Sequence, residues 1–190
     1  MGNIFKSIFR KKDYFYYPAV APEIDLRFRL PKENLNKMKV LNVGIGTGES
    51  GLARQLPFLI FKQLDHIEIH KPYIDEAAFV EWDSKEVNFI HADIRNMENF
   101  DYDIVLMFDI LEHLPKEDSL KLMDKIKCKQ IIFIPLEKEF RANIYGVKEQ
   151  DHLSFWTEGD FKSRGYQTEV LKDFHKEDNR VFDALWAIKN

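Results

Sequence analysis

A glycine-rich loop near residue 45 is the strongest candidate in this sequence for a site that does chemistry. The run VLNVGIGTGE at 40–49 is an apolar stretch followed by Gly44, Gly46 and Gly48. Glycines let the backbone turn tightly and approach a ligand, and a helix that begins after them favours negative groups. A turn with only a structural role would use the same residues. The pattern predicts a ligand-binding loop after the first strand of an open α/β sheet, with the structural turn as the alternative.

The spacing of the glycines favours some nucleotide ligands over others. A nicotinamide fingerprint requires glycine at position 49, where the sequence has Glu49, and a P-loop requires a final Gly-Lys-Ser or Gly-Lys-Thr that the sequence lacks. Glu49 is unfavourable beside a pyrophosphate but compatible with a ligand that has no phosphate. A nicotinamide-dependent dehydrogenase is disfavoured further, because the sequence has no Tyr-x-x-x-Lys pair.

Acidic residues follow the loop at the ends of three later apolar runs. Glu68 lies in HIEIH, Asp93 lies in HADIR, and Asp109 begins DILEHL. Together with the loop, these motifs resemble, in order and spacing, the class I S-adenosylmethionine-dependent methyltransferases over about residues 39–188. The sequence departs from that family at Asn42, where the family usually has Asp or Glu. Asn42 can still accept hydrogen bonds but lacks the charge that would attract the ammonium group of the ligand.

The resemblance implies S-adenosylmethionine as the cofactor and a set of residues that bind it. Glu68 would accept hydrogen bonds from both ribose hydroxyls, and Asp93 would accept one from the adenine amino group. A Glu68 that is simply solvated, and an Asp93 that caps a short segment at 94–99, are the alternatives. The expected cofactor-binding residues are Asn42, Gly44, Gly46, Gly48, Glu68, Ile69, Asp93, Ile94 and Asp109.

Methyl transfer from this cofactor places modest demands on catalytic groups. The sulfonium methyl is already activated, so in-line positioning matters most, and a base is needed only when the acceptor must lose a proton. The expected catalytic residues are His113, His152 and Asp109. His113 is the first to test as a base, because imidazole titrates near neutrality. His113 could instead fix its loop or contact the cofactor, and His152 could cap a helix beside a core Trp156.

The run DHLSFWT at 151–157 resembles a stretch of small-molecule methyltransferases, several of them encoded with polysaccharide-biosynthesis enzymes. It favours a small-molecule or glycan hydroxyl as the acceptor. No metal is expected, because FIPLE at 133–137 lacks the Asp-Asn pair of the metal-dependent catechol-type enzymes and the one cysteine, Cys128, forms no zinc cluster. The predicted activity is O-methylation, and the alternative is a non-catalytic cofactor-binding or membrane-docking protein that keeps the fold.

The elements that must position these residues are predicted by hydropathy patterns. Apolar runs alternate with stretches of helical character, which is typical of a parallel sheet with crossover helices. The last two runs flank a short polar loop and so predict an antiparallel pair. Thr157 and Gly165 are the predicted caps of a helix over 158–164. The predicted strands are 39–43, 65–69, 87–90, 103–108, 131–134, 168–175 and 181–188, with further helices over 49–57, 72–81 and 115–127.

The expected fold is therefore a doubly wound α/β fold of the Rossmann-like methyltransferase type. Its seven-stranded sheet is mostly parallel, with one antiparallel edge strand. The predicted organisation is a basic leader and irregular arm at 1–38, followed by a methyltransferase domain at 39–190.

The charge of the chain is unevenly distributed. Residues 1–12 hold four basic side chains and no acid, so the rest of the chain has 24 basic and 32 acidic residues, a net charge of −8. An acidic body argues against nucleic acid as a partner. The leader combines its basic side chains with Ile4, Phe5, Ile8 and Phe9 at helical spacing. This pattern is compatible with an anionic membrane surface, and also with a lid, a subunit contact or a frayed end. The predicted location is cytoplasmic, peripheral membrane contact through 1–12 is one of these open alternatives, and the oligomeric state stays open.

Overall fold

The computed structural model describes residues 20–46, 52–139, 142, 146–177 and 180–190. The basic leader, Gly48 and the first residues of the helix predicted over 49–57 lie outside this part of the chain. Within the described part, no helix is both long enough and apolar enough to cross a membrane.

Seven strands form one sheet. They are β1 (Lys39–Val43), β2 (Gln63–Glu68), β3 (Val87–His91), β4 (Ile104–Phe108), β5 (Lys129–Pro135), β6 (Gln167–Glu177) and β7 (Arg180–Lys189). Their order in the sheet is β3-β2-β1-β4-β5-β7-β6. The pairs β1–β2, β2–β3 and β4–β5 are parallel, whereas β7 is antiparallel to both β5 and β6. The predicted seven-stranded, mostly parallel sheet with an antiparallel edge is confirmed, and the antiparallel strand is β7, next to the edge strand β6.

One unit of the chain contains the described residues up to Asn96 together with Asp101–Asp103. It holds β1, β2, β3 and the helix α1 (Lys71–Ala77). Nearly every residue of β1 and β2 is buried, which explains why these strands are continuous apolar runs instead of alternating ones. Helix α1 ends at Ala77 rather than at the predicted residue 81. At this end, the Trp82 indole N–H donates to the Ala77 carbonyl.

The arm before β1 is irregular in its described part, as predicted. It forms three single turns of 3₁₀ helix, Pro22–Ile24, Leu26–Phe28 and Leu35–Lys37, and Leu26 is fully buried. The buried Gln55 side chain accepts a hydrogen bond from the Leu26 N–H and donates one to the Ile24 carbonyl. Gln55 lies in a 3₁₀ helix, Ala53–Phe58, within the stretch where the sequence predicts a helix. Pro57 inside it lacks the N–H that an α-helix would use.

The second unit contains Met97–Phe100 and the described residues from Ile104 to Asn190. It holds β4 to β7 with the helices α2 (Lys116–Lys125) and α3 (Glu158–Lys162). Helix α3 begins at the predicted cap: the Thr157 hydroxyl accepts from the Asp160 N–H while the Asp160 carboxylate accepts from the Thr157 N–H. The helix ends at Lys162 with Ser163 as its C-cap, two residues before the predicted end, and Gly165, with a φ of 82°, lies in the turn that follows. The core of this unit lies on β5 and β7, where the Phe133 and Trp186 rings are 4.8 Å apart.

Candidate functional site

The glycine turn follows β1 directly and has a left-handed backbone. Gly44 has a φ of 76° and Gly46 a φ of 61°, values that side-chain-bearing residues rarely adopt. The Gly44 N–H donates to the Ile67 carbonyl at 2.8 Å and so extends the pairing of β1 with β2. The turn is thereby held at the carboxyl ends of these two strands.

Glu68, the last residue of β2, is bonded to this turn. Its Oε2 accepts hydrogen bonds from the backbone N–H groups of Ile45 at 2.8 Å and Gly46 at 3.3 Å, and its Oε1 accepts one from His70 N–H at 2.8 Å. The side chain is buried, so Glu68 is not a solvated strand-end acid. A carboxylate offers about four acceptor positions, and three N–H donors leave room for a ligand hydroxyl. Glu68 therefore shapes the turn and can bind a ligand with the same group.

Asn42 is buried on β1, two residues before Gly44, and its side chain acts as a hydrogen-bond donor. Its amide nitrogen is 2.7 Å from the Gly44 carbonyl oxygen and 3.2 Å from His66 Nδ1. The contact with His66 follows from strand register, because Asn42 and His66 are directly paired on β1 and β2. Since a carbonyl only accepts, the amide nitrogen must face Gly44, and His66 Nδ1 then accepts while Nε2 carries the proton. Burial lowers the pKa of His66 from its ordinary 6.5 to about 3, against a smaller opposing effect of Asp65.

The other residues predicted to bind the cofactor in this unit lie just after β2 and β3. Ile69 is 41% exposed, so it is open to contact with a ligand, whereas Ile94 is buried. Asp93 accepts a hydrogen bond from the Arg95 N–H at 2.9 Å and pairs with the Arg95 guanidinium. The side-chain hydrogen bond from the Arg95 guanidinium lowers the pKa of the Asp93 carboxyl. Asp93 thus caps the start of the 3₁₀ turn Ile94–Asn96. This is the alternative role, a cap of a short segment at 94–99, that the sequence left open.

The second unit gathers the predicted catalytic residues beyond the ends of β4 and β5. Asp109 follows β4 with a φ of 51°, and its N–H donates to the Phe133 carbonyl on β5 at 2.9 Å. A left-handed backbone at a residue other than glycine is uncommon and turns the chain sharply. The turn leads into a 3₁₀ helix, Leu111–His113, which carries the EH pair of the DILEHL motif.

Three side chains meet there, and we call Glu112, His113 and His152 the histidine cluster. One possible ligand atom from each lies within 4.8 Å of the other two, and the His113 and His152 rings are 4.9 Å apart. Burial, and to a smaller extent His152, lower the pKa of His113 to about 4, so His113 is neutral at pH 7. Burial, followed by the Asp109 carboxylate, raises the pKa of Glu112 well above its ordinary value.

Both imidazole rings of the cluster are oriented through Nδ1. His113 Nδ1 is 3.2 Å from the Asp151 carbonyl oxygen, and His152 Nδ1 is 2.8 Å from Glu137 Oε2. Arg180 holds the other oxygen of Glu137, at 2.7 Å. An acceptor at Nδ1 places the ring proton there, which leaves Nε2 as the basic nitrogen of a neutral ring.

The residues that follow His152 have structural roles. Trp156 is 3% exposed, its indole N–H donates to Ser154 Oγ at 2.9 Å, and Lys116 Nζ lies 3.6 Å from the ring centroid. Trp156 is therefore a core residue, as the structural alternative supposed. His152 does not cap a helix and is instead paired with Glu137.

Three residues of these sites were not among the predicted site residues: His66, Glu112 and Glu137. Glu112 and Glu137 are visible in the sequence as acids next to apolar strands, in DILEHL and FIPLE. Both are less than a tenth exposed, which is unusual for glutamate and could have served as a signal only once burial was known. His66 has no such signal, because its pairing with Asn42 depends on the register of two strands.

Comparison with known proteins agrees with this fold. No protein-family model matches the chain, and no curated protein sequence matches it. A solved complex of DhpI with SAM and HEP is similar with a TM-score of 0.59 and 15% identity, over 82% of this chain and 80% of the other. A SAM-dependent methyltransferase from Leishmania major is similar with a TM-score of 0.55 and 15% identity, over 83% of this chain and 68% of the other. The chain thus has the Rossmann-like methyltransferase fold.

Proposed function

We propose that this protein is an S-adenosylmethionine-dependent methyltransferase that methylates a hydroxyl group of a small molecule or glycan. The observation that carries the proposal is the buried Glu68 carboxylate, which is bonded to the glycine turn and retains an acceptor position. The fold supports it, because similar solved structures include one named as a SAM complex and one named as a SAM-dependent methyltransferase.

The cofactor would bind in the first unit through groups that accept hydrogen bonds and approach closely. Glu68 would accept from a ribose hydroxyl at its remaining acceptor position, and the glycine turn would let the backbone contact the ligand. Ile69 is exposed enough to pack on the adenine or ribose. Asp93 would need to share its carboxylate between the adenine amino group and Arg95.

The acceptor proton would be handled in the second unit. An alcohol must lose its proton as the methyl group is transferred, and a neutral imidazole can take it. His113 meets this condition at pH 7 because its pKa is about 4. His152 and Asp109 are next to it in the same unit and complete the proposed catalytic set.

The binding proposal predicts a loss of cofactor affinity in Glu68 variants. Isothermal titration calorimetry should detect S-adenosylmethionine binding by the full chain in the micromolar range and no binding of NAD. Glu68→Ala should weaken this binding about ten- to hundredfold, because hydrogen bonds to a charged group contribute about 1.5–3 kcal/mol. Glu68→Gln should have a smaller effect, since the amide oxygen still accepts.

Asp65→Asn is the matched control for these variants. Asp65 is the other buried acid of β2, and its oxygens bond to Asn88 and Tyr102 rather than to the glycine turn. Affinity should be nearly unchanged in this variant. An unchanged affinity in Glu68→Ala, or heat from NAD with none from S-adenosylmethionine, would contradict the assignment of the cofactor site.

The acceptor is tested by transfer of a labelled methyl group to a panel of glycans, lipid-linked sugars and small alcohols. Labelled product that disappears with His113→Ala supports the hydroxyl assignment and the role of the imidazole. Cofactor binding without transfer to any acceptor, amines and carboxylates included, would favour the non-catalytic alternative.

A further inference from the structure

We propose that the histidine cluster is a binding site for a divalent first-row transition-metal ion, with Glu112, His113 and His152 as its ligands. The inference concerns the same part of the molecule as the proposed catalytic set.

The composition and spacing of the cluster suit such an ion. Two imidazoles and one carboxylate are a ligand set typical of zinc, iron and manganese, whereas magnesium and calcium prefer oxygen ligands alone. The three possible ligand atoms lie within 4.8 Å of one another. Ligands of one ion at about 2.1 Å are separated by about 3–3.5 Å, so side-chain rotation would draw the groups together. Three protein ligands would leave an open coordination position.

The Glu112 carboxyl group is buried without a hydrogen-bond partner among the described residues, which supports a bound ion. The residue is 2% exposed, and neither carboxyl oxygen has a hydrogen-bond partner among the described residues. A buried polar group in this condition is rare and costs stability unless something satisfies it. One carboxyl oxygen lies within 4.8 Å of a ring nitrogen of each imidazole, where an ion would bind it.

The surroundings of the two histidines have the arrangement found around metal ligands. A ligating imidazole usually donates its second ring N–H to a carbonyl or carboxylate, which fixes the ring and its tautomer. His113 does so to the Asp151 carbonyl, and His152 does so to Glu137. Arg180 in turn holds Glu137. Both rings are therefore oriented with Nε2 as the nitrogen that would bind an ion.

This proposal differs from the expectation that no metal binds, which was based on other residues. That expectation concerned an Asp-Asn pair after β5, which FIPLE does not supply, and a zinc cluster, which the single Cys128 does not form. The cluster instead combines the end of the DILEHL motif with His152, 39 residues beyond His113. If the proposed function holds, an ion held by these residues would lower the pKa of an acceptor hydroxyl, whose proton would pass to solvent as the methyl group is transferred. His113 and His152 would then act as ligands instead of bases, and this last step alone depends on the proposed function.

The test is cobalt binding by the full chain after dialysis against a chelator. Co²⁺ should bind with one ion per chain and produce visible absorption bands, and Zn²⁺ and Mn²⁺ should compete with it. Glu112→Gln and His113→Gln should each weaken Co²⁺ binding at least about tenfold. His91→Ala, which removes an exposed histidine outside the cluster, should bind Co²⁺ as the unchanged chain does.

Two further measurements keep the result interpretable. Near-ultraviolet circular dichroism and S-adenosylmethionine binding of each variant report whether it has folded, since the proposed cofactor residues of the first unit are unchanged. A chain that binds the cofactor but takes up no Co²⁺, or variants that bind Co²⁺ as tightly as the unchanged chain, would overturn the metal site and leave the proposed function intact. Stoichiometric Co²⁺ binding without cofactor binding would instead support the metal site and contradict the proposed function.

Discussion

Asn42 holds the glycine turn with its amide hydrogens. They are donated to the Gly44 carbonyl and to His66 Nδ1. An ionised aspartate has no hydrogen to donate, and it would put a negative charge beside the Gly44 carbonyl oxygen. The methyltransferases that the sequence resembles usually have an acid at this position. The local structure here instead requires a donor, because His66 Nδ1 and the Gly44 carbonyl both accept hydrogen bonds from Asn42.

The buried His66 predicts a specific dependence of stability on pH. Its pKa of about 3 in the folded chain lies below the ordinary 6.5, so the unfolded chain takes up a proton first as the pH falls. The free energy of unfolding contributed by neutral His66 is therefore present above pH 6.5 and is lost as the pH falls from there toward 3. Between pH 7 and pH 5 the loss should be about 2 kcal/mol.

Urea unfolding of the full chain at pH 7 and pH 5 measures this loss. In His66→Gln, which keeps an acceptor for Asn42 but does not titrate, the difference between the two pH values should shrink by about 2 kcal/mol. His91→Gln, at an exposed histidine, should leave the difference as it is. An equal difference in His66→Gln and the unchanged chain would show that His66 is not the titrating group.

At the level of elements, the loops after β4 and β5 are joined by backbone and serine hydrogen bonds. The Glu112 carbonyl accepts from the N–H groups of Leu153 at 2.7 Å and Ser154 at 3.1 Å. Ser154 Oγ donates to the Leu111 carbonyl at 3.0 Å and accepts from the Trp156 indole N–H at 2.9 Å. These bonds bring His152 to Glu112 and His113, so the cluster depends on them.

Ser154→Ala should therefore destabilise the fold by about 1–3 kcal/mol, because it leaves the buried Trp156 N–H without its acceptor. Urea denaturation should show a lower midpoint with an unchanged slope. Ser163→Ala is the control, since Ser163 is exposed and bonds only within its own helix end. Equal midpoints for the two variants would mean that Ser154 does not join the loops in solution.

At the level of the whole molecule, the charge is divided between a basic leader and an acidic remainder. Residues 1–12 contain Lys6, Arg10, Lys11 and Lys12 and no acid. Each basic residue near an anionic membrane contributes about 1 kcal/mol of attraction, which salt screens. The leader lies outside the described residues, so its proposed membrane contact is based on composition alone.

Co-sedimentation with anionic vesicles tests the leader. The full chain should pellet with phosphatidylserine vesicles at low salt and much less at high salt, and a chain without residues 1–12 should stay in the supernatant. Neutral vesicles provide the control. Equal pelleting of the two chains on anionic vesicles would favour a lid or a frayed end.

Much of the fold could be predicted because it depends on local patterns. Buried parallel strands require continuous apolar runs, and all seven runs coincide with strands. The observed strand ends differ from the predicted ones by a few residues. In β5, for example, Lys129 and Gln130 before the apolar run also pair with β4. The helix predicted over 49–57 is a 3₁₀ helix in its described part, Ala53–Phe58, since Pro57 lacks the N–H that an α-helix would use.

The sequence by itself determined the α/β order of elements, the glycine turn and the acids at the strand ends, because each depends on neighbouring residues and chain order. Only the tertiary structure decided which side chains meet. Asn42 meets His66 through the register of two strands, and His152 meets Glu137 and the EH pair through loop packing. The same packing buries Glu112 without a hydrogen-bond partner among the described residues. Such contacts join residues far apart in the chain, so no local pattern specifies them.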